Sequence, residues 1–307
     1  MSEYDFITYE TLDDGLIVRI TLNRPKYRNA QSRSLLVELD AAFLRAEADD
    51  AVRVVILAGA GPAFSSGHDL GTPERRTERE PGPGQHPTFA SNGATRLAAE
   101  KRMVQEWHYY YQNALRWRDL RKITVAQVHG EVLAAGLTLA WACDLIVGAE
   151  GTVFADPVGK RLGMCGVEYF AHPWEFGTRR AKELMLTGGS VGIEEAYRLG
   201  MVSQIFPADA LADRTVEYAR ELAGRPSMTA LLIKESINQT QDIQGFRNAL
   251  QASFSIHQIN HAHWAEIHQG TVAHALESDG AVPWTRHARQ AAAGTPGDEE
   301  GKSRNAN

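Results

Sequence analysis

Only two cysteines occur among the 307 residues, Cys143 and Cys165. Each lies in an apolar or glycine-rich run without metal-ligand spacing, so a disulfide framework and a cysteine metal site are disfavoured and buried free thiols are expected. Excess positive charge is lacking too, with 32 Lys and Arg against 38 Asp and Glu and a net charge of −6. Broad attraction to nucleic acid needs clustered cations, so no nucleic-acid partner is expected, although a local basic cleft for phosphates stays open. No apolar run approaches the roughly 18 residues of a membrane span, and the opening MSEYDFITYE carries acids where a secretion signal would carry bases. A cytoplasmic protein without a membrane partner is the expectation.

Phosphate-loop and nucleophile-elbow signatures are absent as well. Gly59-Ala60-Gly61 lacks the third glycine of the dinucleotide fingerprint, and neither G-x-x-x-x-G-K-[ST] nor G-x-S-x-G occurs. Histidines 257, 261, 263 and 268 have no matched acidic pattern, so that helix reads as a polar or interface face and no metal is expected.

What is present has the rhythm of an α/β protein. Leu16 to Leu22 alternates as a strand and breaks at Asn23-Arg24-Pro25. From Ser32 to Ala48, Leu35, Leu36, Leu39, Phe43 and Ala46 recur at helical spacing, with Ser32 or Ser34 as N-cap. Val52 to Ala58 is nearly continuous and β-branched, as in a strand buried on both faces; Ile123 to Val128 and Asp144 to Gly148 repeat the type around a helix from Leu133 to Trp141. Residues 72–95, rich in Pro, Gly and charge, read as a mobile insert, and the following stretch from Thr95 to Leu120 as a helix with a core-packed aromatic face. Trp107, Tyr110 and Tyr169 are candidates to line a roomy pocket. After Thr178 helices dominate, and from Ala291 the chain is small, polar and charged, which predicts disorder.

A set of segments in fixed order carries more information. Arg24-Pro25-Lys26-Tyr27-Arg28-Asn29-Ala30 is followed by Ala63-Phe64-Ser65-Ser66-Gly67-His68-Asp69-Leu70, then Val128-His129-Gly130-Glu131-Val132-Leu133-Ala134-Ala135-Gly136, Cys143-Asp144 and Ala155-Asp156-Pro157. Over roughly residues 5–260 this pattern resembles the crotonase (enoyl-CoA hydratase/isomerase) superfamily. The resemblance implies a ββα spiral core over 1–205, a C-terminal helical trimerisation subdomain over 206–290 and a tail over 291–307. It also implies a homotrimer or hexamer, an acyl-CoA thioester as ligand, and no cofactor beyond the CoA of the substrate. The backbone N–H groups of His68 and Ala135, beside Gly136, match the family's oxyanion hole. Convergent N–H donors stabilise the oxygen of a thioester as it becomes an enolate. Arg24, Lys26, Arg28 and Ala30 match the loop along the CoA nucleotide, and Ser66, His68, Asp69, Leu70, Pro157 and Val158 match further positions around the substrate.

One departure limits the chemistry. Typical hydratases flank a water with two glutamates, whose positions here hold Thr138 and Val158, with Gly159 no better in the next register. Glu168 matches a loop carboxylate of isomerase or dehalogenase relatives, and burial there is expected to raise its pKa. Glu131 reads as pointing away, and Asp156 as a turn cap. An acyl-CoA enzyme working through an enolate is therefore the leading expectation, with isomerisation through Glu168 or a non-catalytic CoA-thioester binder as alternatives.

Overall fold

A computed structural model of the chain describes residues 4–72 and 103–267. The insert expected over 72–95 lies outside them apart from Thr72, as do the tail and the end of the helical region beyond 267.

β1 (Ile7–Leu12) pairs antiparallel with β2 (Ile17–Leu22). α1 (Arg33–Ala48) follows, its first turn capped by Ser32, whose hydroxyl accepts from Leu35 N–H at 3.2 Å. β3 (Val54–Gly59), β4 (Ile123–Val128), β6 (Leu145–Ala149) and β9 (Gln204–Phe206) extend the sheet in parallel, in the order β1-β2-β3-β4-β6-β9. A π-helical segment, Glu106–Gln112, and α2 (Asn113–Arg118) precede β4. β5 (Glu131–Leu133), β7 (Val153–Ala155) and β8 (Val191–Gly192) make a second, three-stranded sheet, with α3 (Ala135–Trp141) after β5.

The near-continuous apolar run of β3 is explained by its two covered faces. Val55 and Leu57 join the cluster built with Leu35, Leu39 and Phe43 of α1, whereas Val54 and Ile56 face Leu211 and Ala219. These last belong to α8 (Leu211–Ala223), so a helix assigned from the sequence to the C-terminal subdomain closes the second face of the sheet. Side chains such as Leu57 and Phe43 each stabilise by roughly 1.5–3 kcal/mol on full burial.

Four short helices come next, α4 (Val158–Leu162), α5 (His172–Phe176), α6 (Thr178–Thr187) and α7 (Ile193–Leu199), of which α4 lines the cavity described below through Val158 and Leu162. α9 (Ser227–Ile243) and α10 (Phe246–Ile267) follow, separated at Gly245, whose φ of 103° stops the preceding helix. Lys234 of α9 reaches Asp144 at 2.9 Å, and α10 lays Trp264 against Met164. Of the face expected to pack before β4, Trp117 is buried and Tyr110 and Leu115 are half-buried, but Trp107 is 48% exposed and Tyr109 and Tyr111 are buried in its place, because the π-helical turn shifts which side chains face the core. Cys165 is also exposed rather than buried.

Candidate active site

Three loops converge beyond the ends of parallel strands. The loop after β2 is tied to the loop after β3 by Asn29, which is fully buried at a φ of 53°. Its Nδ2 donates to Ala60 O and Ala63 O, both at 2.9 Å, and its Oδ1 accepts from Arg24 N–H at 2.9 Å. Ser65 joins the second loop to the first and third: its hydroxyl donates to Asn29 O at 2.9 Å, and its carbonyl accepts from Leu133 N–H at 2.9 Å.

This bracing sets the backbone at His68. Gly67 O accepts from Gln31 N–H at 2.8 Å, and Asp69 N–H donates to Gln31 O at 3.1 Å. Those two bonds face Gln31, so the intervening N–H of His68 points the other way. Gly67 adopts a φ of +89°, and a Cβ there would stand 3.0 Å from Ala135 N. Ala134, at φ 48° and ψ −121°, turns the chain into α3 and leaves Ala135 N–H at the helix start, where no intrahelical acceptor exists. Among the described residues neither His68 N–H nor Ala135 N–H meets an acceptor. Gly136 makes the approach possible, since a Cβ there would lie 2.4 Å from Ser65 O.

A cavity of about 70 Å³ opens against these two groups, lined among others by Ser66, His68, Leu70, Ala135, Val158 and Glu168. Glu168 is wholly buried, and its Oε2 lies 3.2 Å from His68 Nε2. Thr138 is buried without a hydrogen-bond partner for its hydroxyl, and Val158 contributes only apolar surface. Tyr110 lies against His68 with ring centroids 3.9 Å apart and planes tilted by 37°, and it donates to Gln31 O at 3.2 Å. The roomy aromatic pocket is not formed by these residues: Trp107 faces out, and Tyr169 is buried in the core against Phe246.

The expected CoA-contact residues divide. Lys26 and Arg28 are exposed, Arg28 bonding Glu131 at 2.7 Å, and the backbone of their loop abuts Ser66 at the cavity wall through Ser66 N–H to Arg28 O at 2.9 Å. Ala30 is buried and Pro157 half-buried. Arg24 and Asp69 depart from the expectation. They form an ion pair at 2.9 Å with side chains 4% and 1% exposed, so both side chains bind each other instead of facing a phosphate. Burial opposes ionisation of Asp69, yet Thr72 and Arg24 outweigh it and hold the carboxyl below its ordinary range. Asp156 caps a turn through Val158 N–H as expected, and also meets the buried His172 at 3.0 Å.

The histidine-rich helix is corrected more fully. His257 and His261 are 5% and 6% exposed, turned inward, and both line the cavity together with Glu106. Burial disfavours the charged forms, but the contacts within the group reverse this. Glu106 is held well below the carboxylate range by His261 and His257, and His257 well above that of free imidazole by Cys165, Glu106 and Glu168. His263 is exposed, and His268 lies outside the described residues. Glu106 was missed because nothing in EWHYYYQ marks one acid as facing inward.

The enoyl-CoA hydratase/isomerase family profile matches residues 13–91 and 83–275. The chain belongs to the enoyl-CoA hydratase/isomerase family. Within this crotonase superfamily it is 62% identical over 291 residues to EchA13 of Mycobacterium tuberculosis, covering 93% of this chain and 92% of that protein. It is 32% identical over 235 residues to 4-chlorobenzoyl coenzyme A dehalogenase-2 of an Arthrobacter species, covering 76% and 78%. The crystal structure of a probable enoyl-CoA hydratase from Mycobacterium smegmatis superposes with a TM-score of 0.75 at 39% identity, covering 85% of this chain and 97% of that one. The crotonase fold and a hydratase/isomerase-like enzyme are thereby established. Among the described residues no helix is long and apolar enough to cross a membrane.

Proposed function

We propose that this enzyme binds an acyl-CoA thioester with its carbonyl oxygen between the N–H groups of His68 and Ala135, and uses Glu168 to move a proton on the resulting enolate. The observation that carries this reading is the buried Glu168 carboxylate opening into the same cavity as two N–H groups that lack acceptors. In the first step the carboxylate takes a proton from the carbon α to the thioester carbonyl of a 3-enoyl-CoA, and the C–H electron pair is delocalised onto the thioester oxygen, giving a dienolate conjugated through to the γ carbon. The two N–H groups, fixed before reaction by the Gln31 and Ser65 bonds, then stabilise the charge that develops. In the second step Glu168 returns the proton to another carbon, which shifts the double bond. One mobile base suffices for such isomerisation.

Hydration by paired glutamates is disfavoured, because Val158 and Thr138 offer no titrating group. Lys26 and Arg28 on the exposed rim supply positive charge for the CoA phosphates. The exposed Leu232, Ile233, Ile237, Ile256 and Ile259 of α9 and α10 support assembly into a trimer or a pair of trimers. A panel of enoyl-CoA thioesters tests the reading: double-bond shift or proton exchange should outpace hydration. Rapid hydration, or binding of the panel with no reaction at all, would refute it.

A further inference from the structure

The cavity has a second chemical centre that the enolate reading does not use. α10 presents His257 and His261 one turn apart on one face, and the π-helical segment places Glu106 against both. A π-helical turn shifts side-chain register, which is a common device for aiming a residue into a functional site. His257 Nε2 and His261 Nε2 are 3.1 Å apart, and they stand 3.3 and 2.8 Å from Glu106 Oε2. A tetrahedral zinc with bonds of about 2.0–2.1 Å spaces its ligands by about 3.3 Å, so the three atoms already sit close to the corners of one coordination face.

Burial and chemistry agree with that geometry. All three residues are at most 6% exposed and all three line the cavity. Two imidazoles and one carboxylate form a donor set suited to divalent transition ions that keep a position open. Two ring nitrogens facing each other at 3.1 Å need either a proton between them or a common ion. We propose that Glu106, His257 and His261 bind one divalent transition-metal ion of the zinc class, with its open position toward the acyl cavity.

The test uses the full chain stripped with a chelator, then given zinc or cobalt(II), desalted and counted by elemental mass spectrometry. About one ion per chain should be retained, and the cobalt form should show the visible absorption of a tetrahedral site. His257→Gln and His261→Gln should each lose the ion, while His263→Gln, altering an exposed neighbour, should keep it. No retention by the unaltered chain overturns the proposal without recourse to any variant; so does equal retention by the His257→Gln/His261→Gln double variant. A chain that takes no metal yet exchanges substrate protons removes this site alone, whereas one that takes metal without acting on any CoA thioester removes the enolate reading alone.

Discussion

His68 Nε2 and Glu168 Oε2 meet at 3.2 Å across the cavity, the histidine 17% exposed and the glutamate not at all. One residue therefore contributes twice: its backbone N–H faces the proposed oxyanion, and its ring borders the proposed base. The two contributions are separable by substitution.

His68→Ala keeps the N–H and removes the ring, whereas His68→Pro removes both. The proline variant should lose about 10²–10³-fold in kcat beyond the alanine variant, as expected for one oxyanion donor. Steady-state rates on the best CoA thioester, with folding checked by circular dichroism, read this difference. Equal rates for the two would remove His68 N–H from the site.

Gly67→Ala should be damaging out of proportion to one methyl group. At a φ of +89° the new Cβ would stand 2.9 Å from Leu133 O and 3.0 Å from Ala135 N. A cost of about 1–3 kcal/mol is expected from the strained backbone alone. Thermal unfolding should fall, and turnover should fall with it because Ala135 must move.

The Arg24–Asp69 pair predicts an asymmetric response. Arg24→Met leaves a carboxylate buried without its cation and should cost about 3–5 kcal/mol, while Arg24→Met with Asp69→Leu should recover much of that. Chemical denaturation of the three proteins measures both steps. If the single variant is as stable as the double, the pair does not brace these loops.

Burial pushes the Glu175 carboxyl up to about 7. A raised folded-state pKa means that the folded chain holds its proton more tightly than the unfolded chain. The stabilisation is therefore complete below the ordinary carboxylate range and is lost as pH rises through about 7. Full burial would make that loss about 3 kcal/mol, and the partial exposure of this residue makes it smaller. Glu175→Gln should flatten the decline in urea midpoint between about pH 5 and pH 8.

The sheet was legible because its signals are local. Val54 to Leu57 must be covered on both faces, and Ser32 three residues before Leu35 is enough to start α1. Gly67, His68, Ala135 and Glu168 were also readable as a set, through their order in the resembling segments. The contacts among them were not. Glu106 meets His257 and His261 only after the chain has wound through both sheets, and no spacing rule links residues so far apart. The inward turn of Arg24 was hidden for the same reason: its partner Asp69 comes from another loop, and an arginine paired in the core reads in sequence like one on a solvated turn.

Glu168→Gln measured by solvent-deuterium incorporation into a bound acyl-CoA tests the enolate account most directly. The substitution preserves the size of a wholly buried side chain while removing its titrating carboxylate. Incorporation should fall by about 10²–10⁴-fold with CoA-thioester affinity little changed. Undiminished incorporation in the glutamine variant would contradict the account, whatever the fold.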